Sequence, residues 1–110
     1  MTTIVIQKTK SGSYRGFTCM GHAGYAKKHQ DDILCASIST LTICTVNALE
    51  ALAKEKVSSV TNEETGFLKV EIQSELQERS AFLMDAMVFS LESLSKEYGK
   101  KYLEIKFEEV

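Results

Sequence analysis

The sequence predicts an α+β fold, a two-layer sandwich in which a mostly antiparallel sheet is covered on one face by two helices. Three observations carry this. Short strand-like runs come mostly in pairs joined by polar turns. Two long apolar segments with helical spacing separate those pairs. The resulting order is ββαββαβ, and helices inserted between hairpins must bury their apolar stripes against the sheet. With 110 residues, residues 1–110 are expected to form one domain, because two cores would each fall below the size that usually folds alone.

Residues 3–9 and 14–20 read as the first two strands, with Ile4 and Ile6 on one face and Val5 on the other. Lys10-Ser-Gly-Ser13 between them has the flexible residues of a short hairpin loop. Residues 21–31 contain two glycines and fit neither period. Asp31 and Asp32 then offer an N-cap, since a carboxylate oxygen can accept the unpaired amides of a first helical turn. A helix is expected from there to about Lys54. Ile33, Leu34, Leu41, Val46, Leu49 and Leu52 are its bulky positions, with small residues between that suggest close approach by a sheet or partner helix. Residues 57–61 and 67–73 form a second hairpin across Asn62-Glu-Glu-Thr-Gly66. Residues 75–98 form an amphipathic helix with Phe82, Met84, Met87, Val88, Leu91 and Leu94 on its apolar stripe and Gly99 as its stop. Residues 102–107 close the fold as a strand.

Composition narrows the function classes. A hydrophobic share of 44% and a charged share of 25% are ordinary for a globular chain and argue against disorder. The net charge of -2, with scattered cations, gives no direct nucleic-acid interface. The N-terminus lacks a signal peptide, and the apolar stretch from Ile33 to Leu52 is interrupted by Ser, Thr and Asn, so no membrane partner is expected. Cys19, Cys35 and Cys44 have no framework spacing, which favours reduced thiols in the cytoplasm.

The chemistry-bearing feature is the loop before the first helix. His22 sits in Gly21-His-Ala-Gly-Tyr25, at a strand end, and Asp32-Ile-Leu-Cys35 puts a cysteine in a helix first turn. With Asp32 as cap, Cys35 is the third helical residue, where amides and the helix dipole stabilise a thiolate. A loop imidazole beside it completes the pairing of nucleophile and base that acyl transfer requires. The same helix-start amides are expected to receive the developing oxyanion. Ser39, one turn beyond Cys35, could orient the thiolate or bind substrate. Asp31 or Asp32 could accept the second imidazole N–H of His22. Gly21, Ala23, Gly24 and Tyr25 form a substrate loop, in which Tyr25 either covers the cleft or plugs the core. Taken singly, each residue has a structural reading: Cys35 as packing, the Gly-His pair as a turn, Asp31-Asp32 as a cap, Ser39 as a small packing residue. A metal site from His22, His29, Asp31 and Cys35 lacks any paired ligand spacing, so no metal is expected.

The combined string Gly21-His-Ala-Gly-Tyr-Ala26, Asp32-Ile-Leu-Cys-Ala36, Ser39, Leu41 and Val46-Asn-Ala-Leu-Glu50 resembles the ribosomal-processing cysteine protease family. That family's pattern is a Gly-His-Ala loop, then Asp-Ile-Val-Cys-Ala and a nearby serine. The resemblance is dense over residues 21–50. It implies a cytoplasmic endopeptidase of Firmicutes and related bacteria that removes the N-terminal extension of a large-subunit ribosomal protein, cutting after an aromatic residue. It also implies a homodimer and no cofactor. The family's catalytic roles fall on His22 and Cys35, with Asp32 and Ser39 the next matching polar positions. The segment between His22 and Cys35 is one residue longer than usual, and Gln30-Asp31 stands where a glycine commonly precedes the aspartate. Two rival readings have different chemistry: a non-catalytic ribosome-associated peptide-binding module, and another thiol enzyme, whose redox version lacks a CxxC partner.

Overall fold

A computed structural model describes residues 1–26 and 32–110. The elements run β1 Thr2–Lys8, β2 Tyr14–Met20, α1 Ile33–Ala51, β3 Val57–Asn62, β4 Phe67–Ile72, α2 Glu78–Tyr98 and β5 Leu103–Glu109. The strands form one sheet in the order β3-β4-β2-β1-β5. β1–β2, β2–β4 and β3–β4 pair antiparallel, and only β1–β5 is parallel. The α+β class and the ββαββαβ order therefore hold.

Period-two alternation decides which face the helices cover. Ile4 and Ile6 of β1, Phe17 and Cys19 of β2, Val70 and Ile72 of β4, and Leu103 of β5 are all buried on that face. α1 contributes Leu34, Ile38, Thr42, Val46 and Leu49, and α2 contributes Met84, Met87, Val88 and Leu91. Both helices are crossover connections: α1 links β2 to β3, and α2 links β4 to β5.

Several expectations need correction at the element ends. α1 stops at Ala51, short of Lys54, because Lys54 adopts a left-handed φ of 59° that turns the chain towards β3. α2 begins at Glu78 rather than 75. Gln77 is extended (φ -62°, ψ 159°), and its backbone N–H donates to Glu55 Oε2 at 3.0 Å. Phe82 is not on the buried stripe but 72% exposed. It lies two residues from Met84, about 200° around a helix advancing about 100° per residue. Leu52, beyond the end of α1, is likewise exposed.

The small residues of α1 have two uses. Ser37, Thr42 and Thr45 donate their hydroxyls to the carbonyls of Ile33, Ile38 and Leu41, so their polarity is satisfied inside the helix. Ala36, Ser37 and Thr40 meet Ser90 and Ser93 of α2 across a shallow groove, so the partner helix is α2 itself. By length and composition α1 is apolar enough to cross a membrane, with a mean hydropathy of 1.5, contrary to the expectation from its Ser, Thr and Asn content. Its buried stripe of Leu34, Ile38, Thr42, Val46 and Leu49 packs in the core, whereas Ile33 and Ile43 stay exposed.

Candidate active site

The site forms where β2 leaves the sheet and α1 begins. Gly21 turns the chain with a φ of +86°, and a Cβ there would stand 2.6 Å from the Met1 carbonyl oxygen. Its own carbonyl accepts from the Thr2 hydroxyl at 3.3 Å. This fixes the direction in which His22 leaves the strand. The imidazole is exposed; its Nδ1 lies 3.9 Å from Cys35 Sγ and its Nε2 lies 2.9 Å from the Glu64 carbonyl oxygen. Ala23 follows, buried, and its N–H donates to Cys35 Sγ at 3.3 Å.

Asp32 is the N-cap. Its Oδ1 accepts the Cys35 amide at 2.9 Å, and its Oδ2 accepts the amides of Tyr25 and Ala26 at 2.9 and 3.4 Å. Burial pushes this carboxyl upward, but the amides of Cys35, Tyr25, Ala26 and Leu34 together outweigh it and hold the group below the usual carboxylate range. Asp32 therefore clamps the loop onto the helix and does not touch His22. The second imidazole nitrogen meets a main-chain oxygen instead, that of Glu64. The oxyanion expectation changes as well. The amide of Cys35 is taken by the cap side chain and that of Ala36 by the Asp32 carbonyl. The loop amide of Ala23 lies beside the sulfur as a donor.

Ser39 lines the same cleft as Cys35 and His22, but among the described residues its hydroxyl has no bond to the sulfur. Tyr25 neither lines the cleft nor plugs the core. It is 40% exposed and sits edge-on against Tyr98 and Tyr102, with ring centroids 4.9 and 5.2 Å apart. It moors the loop to the end of α2 and the start of β5. Gly24 has a φ of +67° with open space around it. Asp31 and His29, with the rest of 27–31, lie outside the described residues.

The cleft in front of Cys35 has a volume of about 370 Å³. Ile38 and Ile43 of α1, Cys19 of β2, and Phe67 and Leu68 of β4 give it apolar walls. Thr61, Asn62 and Glu63 from the end of β3 and its turn form a polar rim. Burial pushes the Cys19 thiol up to about 12, which keeps it a neutral wall of this cleft. The site residues that the sequence pattern did not single out are therefore those of the second hairpin. The glycine closing Asn62–Gly66 was their one visible signal. Among the described residues no cluster of His, Cys, Asp and Glu is arranged to hold a metal ion.

Comparison with known proteins shows the family. A family model described as "Cysteine protease Prp" matches residues 1–103. The chain is similar to the ribosomal processing cysteine protease Prp of Bacillus subtilis, 26% identical over 102 residues that cover 89% of this chain and 90% of the relative. Among solved structures, SMU.848 from Streptococcus mutans matches with a TM-score of 0.84 and 27% identity, covering 100% of this chain and 99% of that one. The essential ribosomal processing protease Prp of S. aureus, in complex with a covalently linked product peptide, matches with a TM-score of 0.89. At 21% identity over 98% of this chain and 100% of that chain, this likeness concerns the fold.

The clamp makes a testable statement about stability. A carboxyl held lower in the folded chain than in the unfolded one stabilises the fold above its unfolded value, and that contribution is lost as pH falls through the folded value. Asp32→Ala should therefore cost about 1 kcal/mol near neutrality, the usual worth of an N-cap. The gap from wild type, measured by urea unfolding, should close as pH drops below about 4. A gap that stayed constant down to pH 2 would mean that the charge of Asp32 contributes nothing.

Proposed function

The chain belongs to the cysteine protease Prp family, whose members are hydrolases, and from that premise we propose that Cys35 is its nucleophile and His22 its base. Its substrate, in this reading, is a large-subunit ribosomal protein with an N-terminal extension, cut in the cytoplasm after an aromatic residue. One observation carries the proposal: the Cys35 thiol lines the apolar cleft with its Sγ 3.9 Å from His22 Nδ1.

The chemistry follows from the positions of the groups. His22 Nδ1 takes the thiol proton as Cys35 Sγ attacks the carbonyl carbon of the residue held in the cleft. The carbonyl oxygen gains the negative charge, and the Ala23 N–H, already directed at the sulfur, is the nearest donor to receive it. Protonated His22 then gives its proton to the departing amine, which becomes the new N-terminus of the ribosomal protein. Water, deprotonated by the same imidazole, hydrolyses the thioester and restores the thiol. Ile38, Ile43, Phe67 and Leu68 give the cleft walls suited to an aromatic side chain. An extended, unstructured tail suits such an open site better than a folded segment does.

We also take the working unit to be a homodimer, following the family resemblance. α2 offers an apolar surface for it in Phe82 and Phe89, 72% and 73% exposed and seven residues apart on one side of the helix. Sedimentation equilibrium should return twice the chain mass, and a monomer at micromolar concentration would end this part of the reading.

The catalytic assignment is tested with an N-terminally extended ribosomal protein, its products weighed by mass spectrometry. Cys35→Ala and Cys35→Ser should abolish cleavage while leaving the fold intact. His22→Ala should lower the rate roughly 10²–10⁴-fold, the usual share of a general base, and His29→Ala should stay near wild type. Cleavage surviving in Cys35→Ala would remove the nucleophile assignment. A reversal of the two histidine effects would move the base to His29.

A further inference from the structure

The contact between His22 and the β3–β4 turn has a consequence for the base. Nε2 of His22 lies 2.9 Å from the Glu64 carbonyl oxygen. A carbonyl only accepts, so Nε2 carries the ring proton and the neutral imidazole presents a bare Nδ1. That bare nitrogen faces Cys35 Sγ. In triad hydrolases the tautomer is fixed by a third side chain, commonly an aspartate, which also stabilises the imidazolium once it forms. Among the described residues no side chain bonds Nε2, whose partner is the Glu64 carbonyl.

We propose that the β3–β4 turn is the third member of the constellation. The main-chain carbonyl of Glu64 orients His22 and stabilises its protonated form, and Gly66 is the residue that lets the turn come close enough. This rests on the dyad reading given above. Gly66 has a φ of +67°, and a Cβ there would stand 2.4 Å from the Gly21 carbonyl oxygen and 3.2 Å from His22 Cε1. A side chain at this position would thus meet both the backbone that aims His22 and the ring itself. The role belongs to the backbone of Glu64, a positioning group that acts through His22 and touches no substrate.

The placement also links binding to chemistry. Thr61, Asn62 and Glu63 before the turn, and Phe67 and Leu68 after it, line the cleft. A peptide lying in the cleft presses on the strand ends whose turn holds the base. Substrate contact and base orientation therefore share one hairpin.

The direct test changes only the carbonyl. In full-length protein assembled by ligation, the amide between Glu64 and Thr65 is replaced by an ester, which weakens the Glu64 oxygen as an acceptor and leaves every side chain in place. The Thr65 N–H donates no hydrogen bond among the described residues, so no other bond is lost. kcat on the extended ribosomal protein should fall about tenfold, a modest share of what a general base supplies, while KM is unchanged. Nitrogen-15 spectra of the His22 ring should pass from a single Nε2–H tautomer in wild type to a mixture. Gly66→Ala should shift both readouts the same way, and if it fails to fold the ester protein still decides. A wild-type kcat or an unaltered tautomer in the ester protein overturns the orienting role and leaves the dyad standing. Loss of the dyad itself would show differently, as cleavage by Cys35→Ala.

Discussion

The carboxylate of Asp32 accepts amides from two segments at once, Cys35 on α1 and Tyr25 and Ala26 in the loop. That clamp joins the two halves of the site. A cap that bonded only its own helix would fix the cysteine and leave the His22 loop to its contacts at Gly21, Tyr25 and the β3–β4 turn. By spanning both, Asp32 holds the loop against the helix start, where the Ala23 amide points at the sulfur. Each hydrogen bond to a charged acceptor is worth more than a neutral one, so the helix cap is also a strong restraint on where the loop lies beside Cys35.

A second constraint comes from backbone packing at the end of the sheet. Gly21 lies against the Met1 carbonyl on one side and against Gly66 on the other, at separations that leave no room for a Cβ on either glycine. Three pieces of chain that are distant in sequence therefore meet without side chains between them. The mooring of Tyr25 on Tyr98 and Tyr102 extends the same frame to α2 and β5. The site is thus tied to both layers of the fold.

Much of this was legible in the sequence because it depends on side-chain identity and spacing. The order of elements followed from apolar periodicity, and a glycine-flanked histidine, an N-cap and a first-turn cysteine made His22 and Cys35 candidates that the resemblance to the ribosomal-processing cysteine protease family then paired. What stayed hidden depends on phase and on main chain. Phe82 read as core because it recurs near Met84 and Met87, yet its angle around α2 puts it in solvent. Lys54 gave no sign of the left-handed turn that ends α1 early. Asp32 was recognisable as a cap but not as a clamp, since nothing in its neighbours reveals that Tyr25 and Ala26 turn their amides to it. The partner of His22 Nε2 is a carbonyl, which every residue possesses, so no residue type could have announced it.

In the proposed mechanism the Cys35 sulfur forms the covalent intermediate in this cleft, and neither of the other thiols replaces it. The most direct measurement is acid-quenched mass spectrometry of the protein during turnover of an ester peptide that ends in an aromatic residue, followed by mapping of the modified residue. The expected result is one acyl group per chain, carried by Cys35 and absent from Cys19 and Cys44. An acyl group on Cys44, or turnover without any acylated protein, would contradict it.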